Sequence, residues 1–228
     1  ILAVHDPGLV EFLEGAWHEY QHTHGFTHDV VPDMFAMPAL REGMDAGSEP
    51  ESIRARLGWW CFETTTPITQ GTYAAARSAV DVALTAADHV LDGESVAYGL
   101  CRPPGHHAGR AAYGGYCFFN NAAIVANHLA ESTQGKIAVL DVDYHHGNGT
   151  QQIFYERDDV QYVSLHGDPA RAFPYHTGFS DEIGAGKGIG ATSNYPMPER
   201  ADDEQFLAAL TAGCGDVAAF GADMVVVS

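Results

Sequence analysis

Residues 137–150, Ile137-Ala138-Val139-Leu140-Asp141-Val142-Asp143-Tyr144-His145-His146-Gly147-Asn148-Gly149-Thr150, pass without a break from an apolar run into a cluster of ligand-capable side chains. A short, continuous, β-branched run is the mark of a strand buried on both faces, as in a parallel sheet. Val96 to Leu100, Val160 to Leu165 and Met224 to Val227 read the same way. Helical patterns fill the intervals at about 72–91, 120–131 and 202–220. Leu9, Phe12, Leu13, Ala16, Trp17 and Tyr20 add an amphipathic helix closed by Gly25. Strands alternating with helices predict the α/β class: a three-layer parallel sheet with helices on both faces. Ligands of such sheets gather beyond the carboxyl ends of the strands.

Two of the apolar runs empty into polar clusters, Cys101-Arg102-Pro103-Pro104-Gly105-His106-His107-Ala108-Gly109 and the 141–150 segment. Residues two apart in an extended chain share a face, so Asp141, Asp143 and His145 are expected on one side. Two carboxylates and an imidazole there point to a metal; oxygen and nitrogen ligands without thiolate suit zinc, and also iron, manganese or cobalt. The plainer alternative is that a buried Asp and His only hydrogen-bond the ends of the sheet. His106 and His107 follow a stiff Pro-Pro-Gly turn, and paired imidazoles can take a proton from water and return one to a leaving amine.

At 228 residues with 46% hydrophobic content, the chain predicts one large domain, residues 1–228. The net charge of −19 argues against nucleic acid and permits a cationic substrate. With neither a membrane-length apolar stretch nor a signal pattern, the sequence excludes a membrane partner and makes the cytoplasm the default compartment. Cys61, Cys101, Cys117 and Cys214 form no CxxC pair and are expected as buried, reduced thiols. Residues 27–67 read as an irregular loop, either a substrate-entrance segment or an oligomer contact such as that of a homodimer. The chain starts in mid-element and stops on an apolar strand, read as buried, so both ends are expected to be truncations.

Arg102 to Ala108 (RPPGHHA), Gly114 to Asn121 (GGYCFFNN) and Leu140 to Thr150 (LDVDYHHGNGT) resemble the signature blocks of histone deacetylases. Ser164-Leu165-His166-Gly167-Asp168-Pro169 with Phe173-Pro174 resembles the acetylpolyamine amidohydrolase branch of that family. The resemblance implies an arginase/deacetylase-like fold, incomplete at the C-terminus, and zinc-dependent hydrolysis of an N-acetyl amine or acetyl-lysine. It assigns Asp143 and His145 to zinc (Fe2+ or Co2+ as substitutes), with a third ligand and an oxyanion-stabilising tyrosine expected downstream of Ser228. His107 matches the general base and acid, oriented by Asn148; His106 matches the electrostatic partner, paired with Asp141. Asp141, Asp143, His145, Ser164 and Leu165 match a structural potassium site, largely through backbone oxygens. Gly115, Tyr116 and Phe173 match the substrate tunnel. Polyamine-selective relatives carry an acid in the segment that here reads Ile53-Arg54-Ala55-Arg56-Leu57-Gly58-Trp59-Trp60, so a strict polyamine preference is not expected.

The rival readings are weaker. An acetyl-ligand binder or inert fragment would follow if two zinc ligands were too few. His18-Glu19-Tyr20-Gln21-His22 fits the HExxH metalloprotease pattern, but its histidines fall opposite the apolar stripe and should face water. Residues 184–190, GAGKGIG, match neither phosphate-loop pattern and read as a flexible loop.

Overall fold

The computed structural model describes residues 1–45 and 47–228. Helices α1 (Pro7–His24), α2 (Ile53–Trp60), α3 (Thr72–Leu91) and α4 (Asn121–Thr133) come first. There follow β1 (Ile137–Asp141), α5 (Asn148–Phe154), β2 (Val160–Gly167), β3 (Thr192–Met197), α6 (Asp203–Phe220) and β4 (Met224–Val227). The strands pair in parallel in the order β3-β2-β1-β4.

Alternation along the strands explains the layers. Ile137, Val139, Val160 and Tyr162 join the larger core, packed with Leu9 and Phe12 of α1, Leu57 of α2, Val80 of α3 and Ile124 of α4. Leu140, Val163 and Leu165 face the other way and pack on Phe206, Leu210 and Val217 of α6. Full burial of each such side chain contributes about 1.5–3 kcal/mol. Helix starts are set by side-chain caps: Asp6 accepts from Gly8 N–H, Asn120 from Ala123 N–H, and Asp202 forms a reciprocal box with Gln205. Each cap contributes about 1 kcal/mol.

Several expectations need correction. Val96 to Leu100 is not a strand: Val96, Tyr98 and Leu100 are 81%, 84% and 77% exposed, and no ladder partner lies beside them among the described residues. β-Branched and aromatic residues favour a strand only where a neighbour completes it. β4 is half exposed among the described residues, where it pairs with β1 and α6 lies over β2 and β3. Segment 27–67 is not irregular throughout; α2 lies within it, and Ile53, Leu57 and Trp60 belong to the core. The glycines of 184–190 form an ordered turn, in which Gly188 N–H donates to Ala185 O and Ala185 N–H to Tyr155 O, each at 2.8 Å. Cys61 and Cys117 are buried, with thiols pushed up to about 12 by burial, but Cys101 is half-buried and Cys214 exposed. No helix among the described residues is long and apolar enough to cross a membrane.

Candidate active site

β1 ends at Asp141, and the two-residue alternation ends with it. Asp141 Oδ1 accepts the Asp143 N–H (3.2 Å), and Asp143 Oδ1 accepts the His145 N–H (2.7 Å). These successive side-chain-to-backbone turns curl the chain away from the sheet. Asp141, Asp143 and His145 stay together around His106, but they differ in exposure. Asp143 and His145 have side chains 48% and 44% exposed, with Oδ1 and Nδ1 3.4 Å apart, while the Asp141 side chain stays fully buried. One carboxylate and one imidazole, adjacent and open to solvent, suit a zinc ion as two of the three protein ligands usual in a catalytic site. Among the described residues no group of three or more His, Cys, Asp or Glu side chains is disposed to hold a metal ion.

Asp141 turns instead to His106. His106 Nδ1–H donates to Asp141 Oδ2 at 2.9 Å, and His106 Nε2 lies 3.9 Å from Asp143 Oδ1. Burial works against the charged imidazole, but the Asp141 and Asp143 carboxylates outweigh it and raise the His106 pKa. Burial likewise opposes ionisation of Asp141, which is held below the usual carboxylate range by His106 and by donors from Asp143 N and Tyr162 Oη.

His107 sits 4.1 Å from His106 between ring centroids and has the opposite surroundings. Its Nδ1–H donates to Asn148 Oδ1 (2.7 Å), a neutral partner, which leaves Nε2 with a free lone pair. Burial, then the charges of His106 and His145, lower its pKa to about 4. Two adjacent imidazoles are thus held apart in character: one favours the cation, the other is a neutral base near pH 7.

The turn that carries these partners docks on the histidine loop through backbone. Gly149 N–H and Thr150 N–H, in the first turn of α5, donate to His106 O at 3.0 and 3.1 Å. A Cβ on Gly149 would lie 2.2 Å from Ala108 O, so only glycine allows that approach. Phe173 stands edge-on to His107 (centroids 4.8 Å) and to His145 (6.0 Å). Gly115, at φ +58°, lies flat against the His107 ring. Tyr116 is exposed and lines a depression of about 600 Å³ with Thr66, Arg102, Pro103, Pro104 and Phe118.

Ser164 is the register partner of Asp141, which brings the ends of β1 and β2 together; its hydroxyl bonds His166 Nδ1 at 2.9 Å, and Leu165 is buried under α6. His18 and His22 face solvent, as their place opposite the apolar stripe leads one to expect, and Glu19 is paired with Arg56 at 2.9 Å. Sequence reasoning missed Tyr162, whose hydroxyl donates to Asp141 and accepts Gly147 N–H, each at 3.0 Å. It also missed Phe62, which stacks on Phe173 at 6.1 Å. Neither carries a local motif.

The chain is 46% identical over 228 residues to the acetylpolyamine amidohydrolase of Mycoplana ramosa, covering 100% of this chain and 65% of that protein. It is 44% identical to acetylpolyamine amidohydrolase 2 of Pseudomonas aeruginosa, with 100% and 64% covered. The crystal structure of an acetylpolyamine aminohydrolase from Burkholderia pseudomallei superposes with a TM-score of 0.91 at 38% identity, over 99% of this chain and 64% of that one. An HDAC homolog from Aquifex aeolicus gives a TM-score of 0.77 at 27% identity, over 99% and 53%. The chain thus spans 64–65% of the length of these curated relatives. The histone deacetylase domain model matches residues 1–228, and with the paired histidines and the Asp143–His145 pair in place, the chain belongs to the histone deacetylase domain family.

Proposed function

We propose that the protein is a zinc-dependent deacetylase that hydrolyses N-acetylated polyamines to acetate and the free amine. The observation that carries this is the contrast between the neighbouring imidazoles, with His106 on a carboxylate and His107 on an amide, beside Asp143 and His145. Asp143 and His145 would hold the zinc, with Fe2+ or Co2+ as substitutes. When bound, the metal polarises an acetyl carbonyl as a Lewis acid and makes water nucleophilic at neutral pH.

The chain's own residues handle the protons. His107 Nε2 accepts the proton lost by the attacking water and returns it to the amine as the C–N bond breaks. Asn148 fixes the tautomer that makes this feasible. His106, kept toward the cation by Asp141, supplies positive charge where the carbonyl oxygen gains negative charge. Phe173 and Gly115 flank the base and admit a slender, extended arm. The same reading assigns Asp141, Asp143, His145, Ser164 and Leu165 to a structural potassium ion.

For the substrate, the names of the relatives favour an acetylpolyamine over acetyl-lysine. The basic segment that argued otherwise is neutralised in the fold: Arg54 pairs with Asp33, and Arg56 with Glu19 and Glu49. The net charge of −19 also suits a polycation.

The test is acetate release from N-acetylputrescine and from an acetyl-lysine peptide by the zinc-loaded protein expressed from its complete gene. We expect faster turnover of the acetylpolyamine, and His107→Ala to lose more than a hundredfold in kcat while keeping its zinc. Bound zinc without turnover of either substrate would replace the enzyme reading with an acetyl-ligand binder.

A further inference from the structure

Residues 60–66 run beside residues 113–116 as a strap. Tyr113 N–H donates to Trp60 O (2.8 Å), Phe62 N–H donates to Tyr113 O (3.3 Å), and Cys61 bridges Tyr113 in parallel. Beyond that bridge the contacts pass to side chains. Glu63 Oε1 accepts the Gly115 N–H at 3.0 Å, and Thr66 Oγ1 accepts the Tyr116 N–H at 2.7 Å. Glu63 also accepts from Thr66 Oγ1–H and Thr65 N–H, so the carboxylate aims the threonine's remaining lone pairs at Tyr116.

Gly115 and Tyr116 have φ of +58° and +66°, consecutive left-handed residues, and left-handed backbone is unfavourable for tyrosine. Gly114 and Cys117 close the turn by exchanging N–H···O bonds at 3.0 Å each, and the N–H groups of the two left-handed residues between them point outward, to Glu63 and Thr66, which fix where the turn sits. The turn in turn touches the base, since Gly115 packs against the His107 ring. Thr66 is 1% exposed, so loss of its hydroxyl would leave Tyr116 N–H without that buried partner. Burial opposes the charge on Glu63, but the donors from Thr65, Thr66 and Gly115 prevail and hold it below the usual carboxylate range, so it stays an acceptor at neutral pH.

We propose that Glu63 and Thr66 are positioning residues that clamp the Gly115–Tyr116 turn, Glu63 setting Gly115 against His107 and Thr66 setting the Tyr116 wall of the substrate arm. This rests on the deacetylase reading, and the two parts of the clamp separate kinetically. Glu63→Ala frees the residue that packs on the base, so kcat falls about tenfold with KM within about twofold, the scale expected when a catalytic group is slightly misplaced. Thr66→Ala frees the wall, so KM rises about tenfold with kcat within about threefold. Thr66→Ser restores the acceptor and the wild-type KM. Glu63→Gln keeps the shape but sets an amide N–H against Thr65 N–H, and should show the kcat loss in smaller degree.

The assay uses the zinc-loaded protein from its complete gene, with rates expressed per bound zinc. Wild-type turnover of an N-acetylated amine is measured first, because its absence refutes the deacetylase reading itself. With the wild type active, the clamp is overturned by unchanged kcat in Glu63→Gln together with unchanged KM in Thr66→Ala. It is equally overturned if Thr66→Ser behaves as Thr66→Ala, or if the losses match only the lost fraction of folded protein.

Discussion

Gly115→Ala should damage catalysis far more than folding, and the size of the effect follows from geometry. A Cβ built on Gly115 lies 2.3 Å from His107 Cδ2 and 2.6 Å from Cγ, where real contacts essentially never fall under 3.0 Å. Imidazole or turn must therefore move by about 0.7 Å, approaching the displacement of roughly 1 Å that costs on the order of a hundredfold in rate. His107 has little room to retreat: Asn148 holds Nδ1 at 2.7 Å, and the rings of His106 and Phe173 stand 4.1 and 4.8 Å away. The backbone adds about 1 kcal/mol, because alanine at φ +58° is strained. Gly221 is the control: it closes α6 at φ +74° and ψ +41°, and a Cβ there meets nothing within 4 Å. Gly221→Ala should lose about 1 kcal/mol with unchanged turnover. In the zinc-loaded protein from the complete gene, we expect Gly115→Ala to lose about 30- to 100-fold in kcat/KM at unchanged zinc content. A loss below threefold would refute the claim that the glycine contact sets the base.

Asn148→Asp replaces the neutral partner of His107 with a charge at hydrogen-bond distance, so the imidazole pKa, now about 4, rises by about 1–3 pH units. Since neutral His107 is the active form, the acid limb of kcat/KM against pH should move up by the same interval; an unmoved limb would assign it to another group. His5 predicts an acid instability: it is fully buried, its Nδ1–H donates to Gly109 O and its Nε2 accepts from Asn120 N–H, each at 2.9 Å, and burial lowers its pKa to about 4. An unfolded histidine titrates near 6.5, so below that pH the unfolded chain takes up a proton that the fold refuses. The His5 contribution is complete above about pH 6.5 and is lost as pH falls toward 4, by about 2 kcal/mol at pH 5. Urea unfolding at pH 7 and 5 should show the gap between the two pH values narrowing by about that amount in His5→Gln; an equal gap would remove His5 as the cause.

What could be read from the chain divides along physical lines. β1, β2, β4 and the long helices announce themselves because their patterns are local and are set by burial on known faces. β3 escapes because Asn194 and Pro196 break its apolar run; an outer strand tolerates proline where a central one does not. The 96–100 segment errs in the opposite sense, with strand-forming residues and no ladder partner among the described residues. Asp141 is buried while Asp143 and His145 are open to solvent, a difference that two-residue alternation alone does not carry, because turn-forming aspartates curl the chain just past β1. Phe62, Glu63 and Tyr162 carry no motif, since their contacts to Phe173, Gly115 and Asp141 reach across the chain.

Those distant contacts explain how two identical neighbours come to hold different protons. His106 and His107 share one loop and one kind of ring, so nothing local distinguishes them. Their partners, Asp141 at the end of β1 and Asn148 at the start of α5, lie on either side of one turn that also carries Asp143 and His145. Docking that turn against the loop through Gly149 and Thr150 therefore fixes the acidic partner, the neutral partner and the two candidate ligands together. Tyr162 secures the turn from the neighbouring strand, bridging Asp141 and Gly147. Displacing the turn would disturb both histidines at once, whereas displacing the Gly115–Tyr116 wall acts first on His107. That asymmetry is why the Glu63 clamp should register in kcat while the His106–Asp141 pair stays intact.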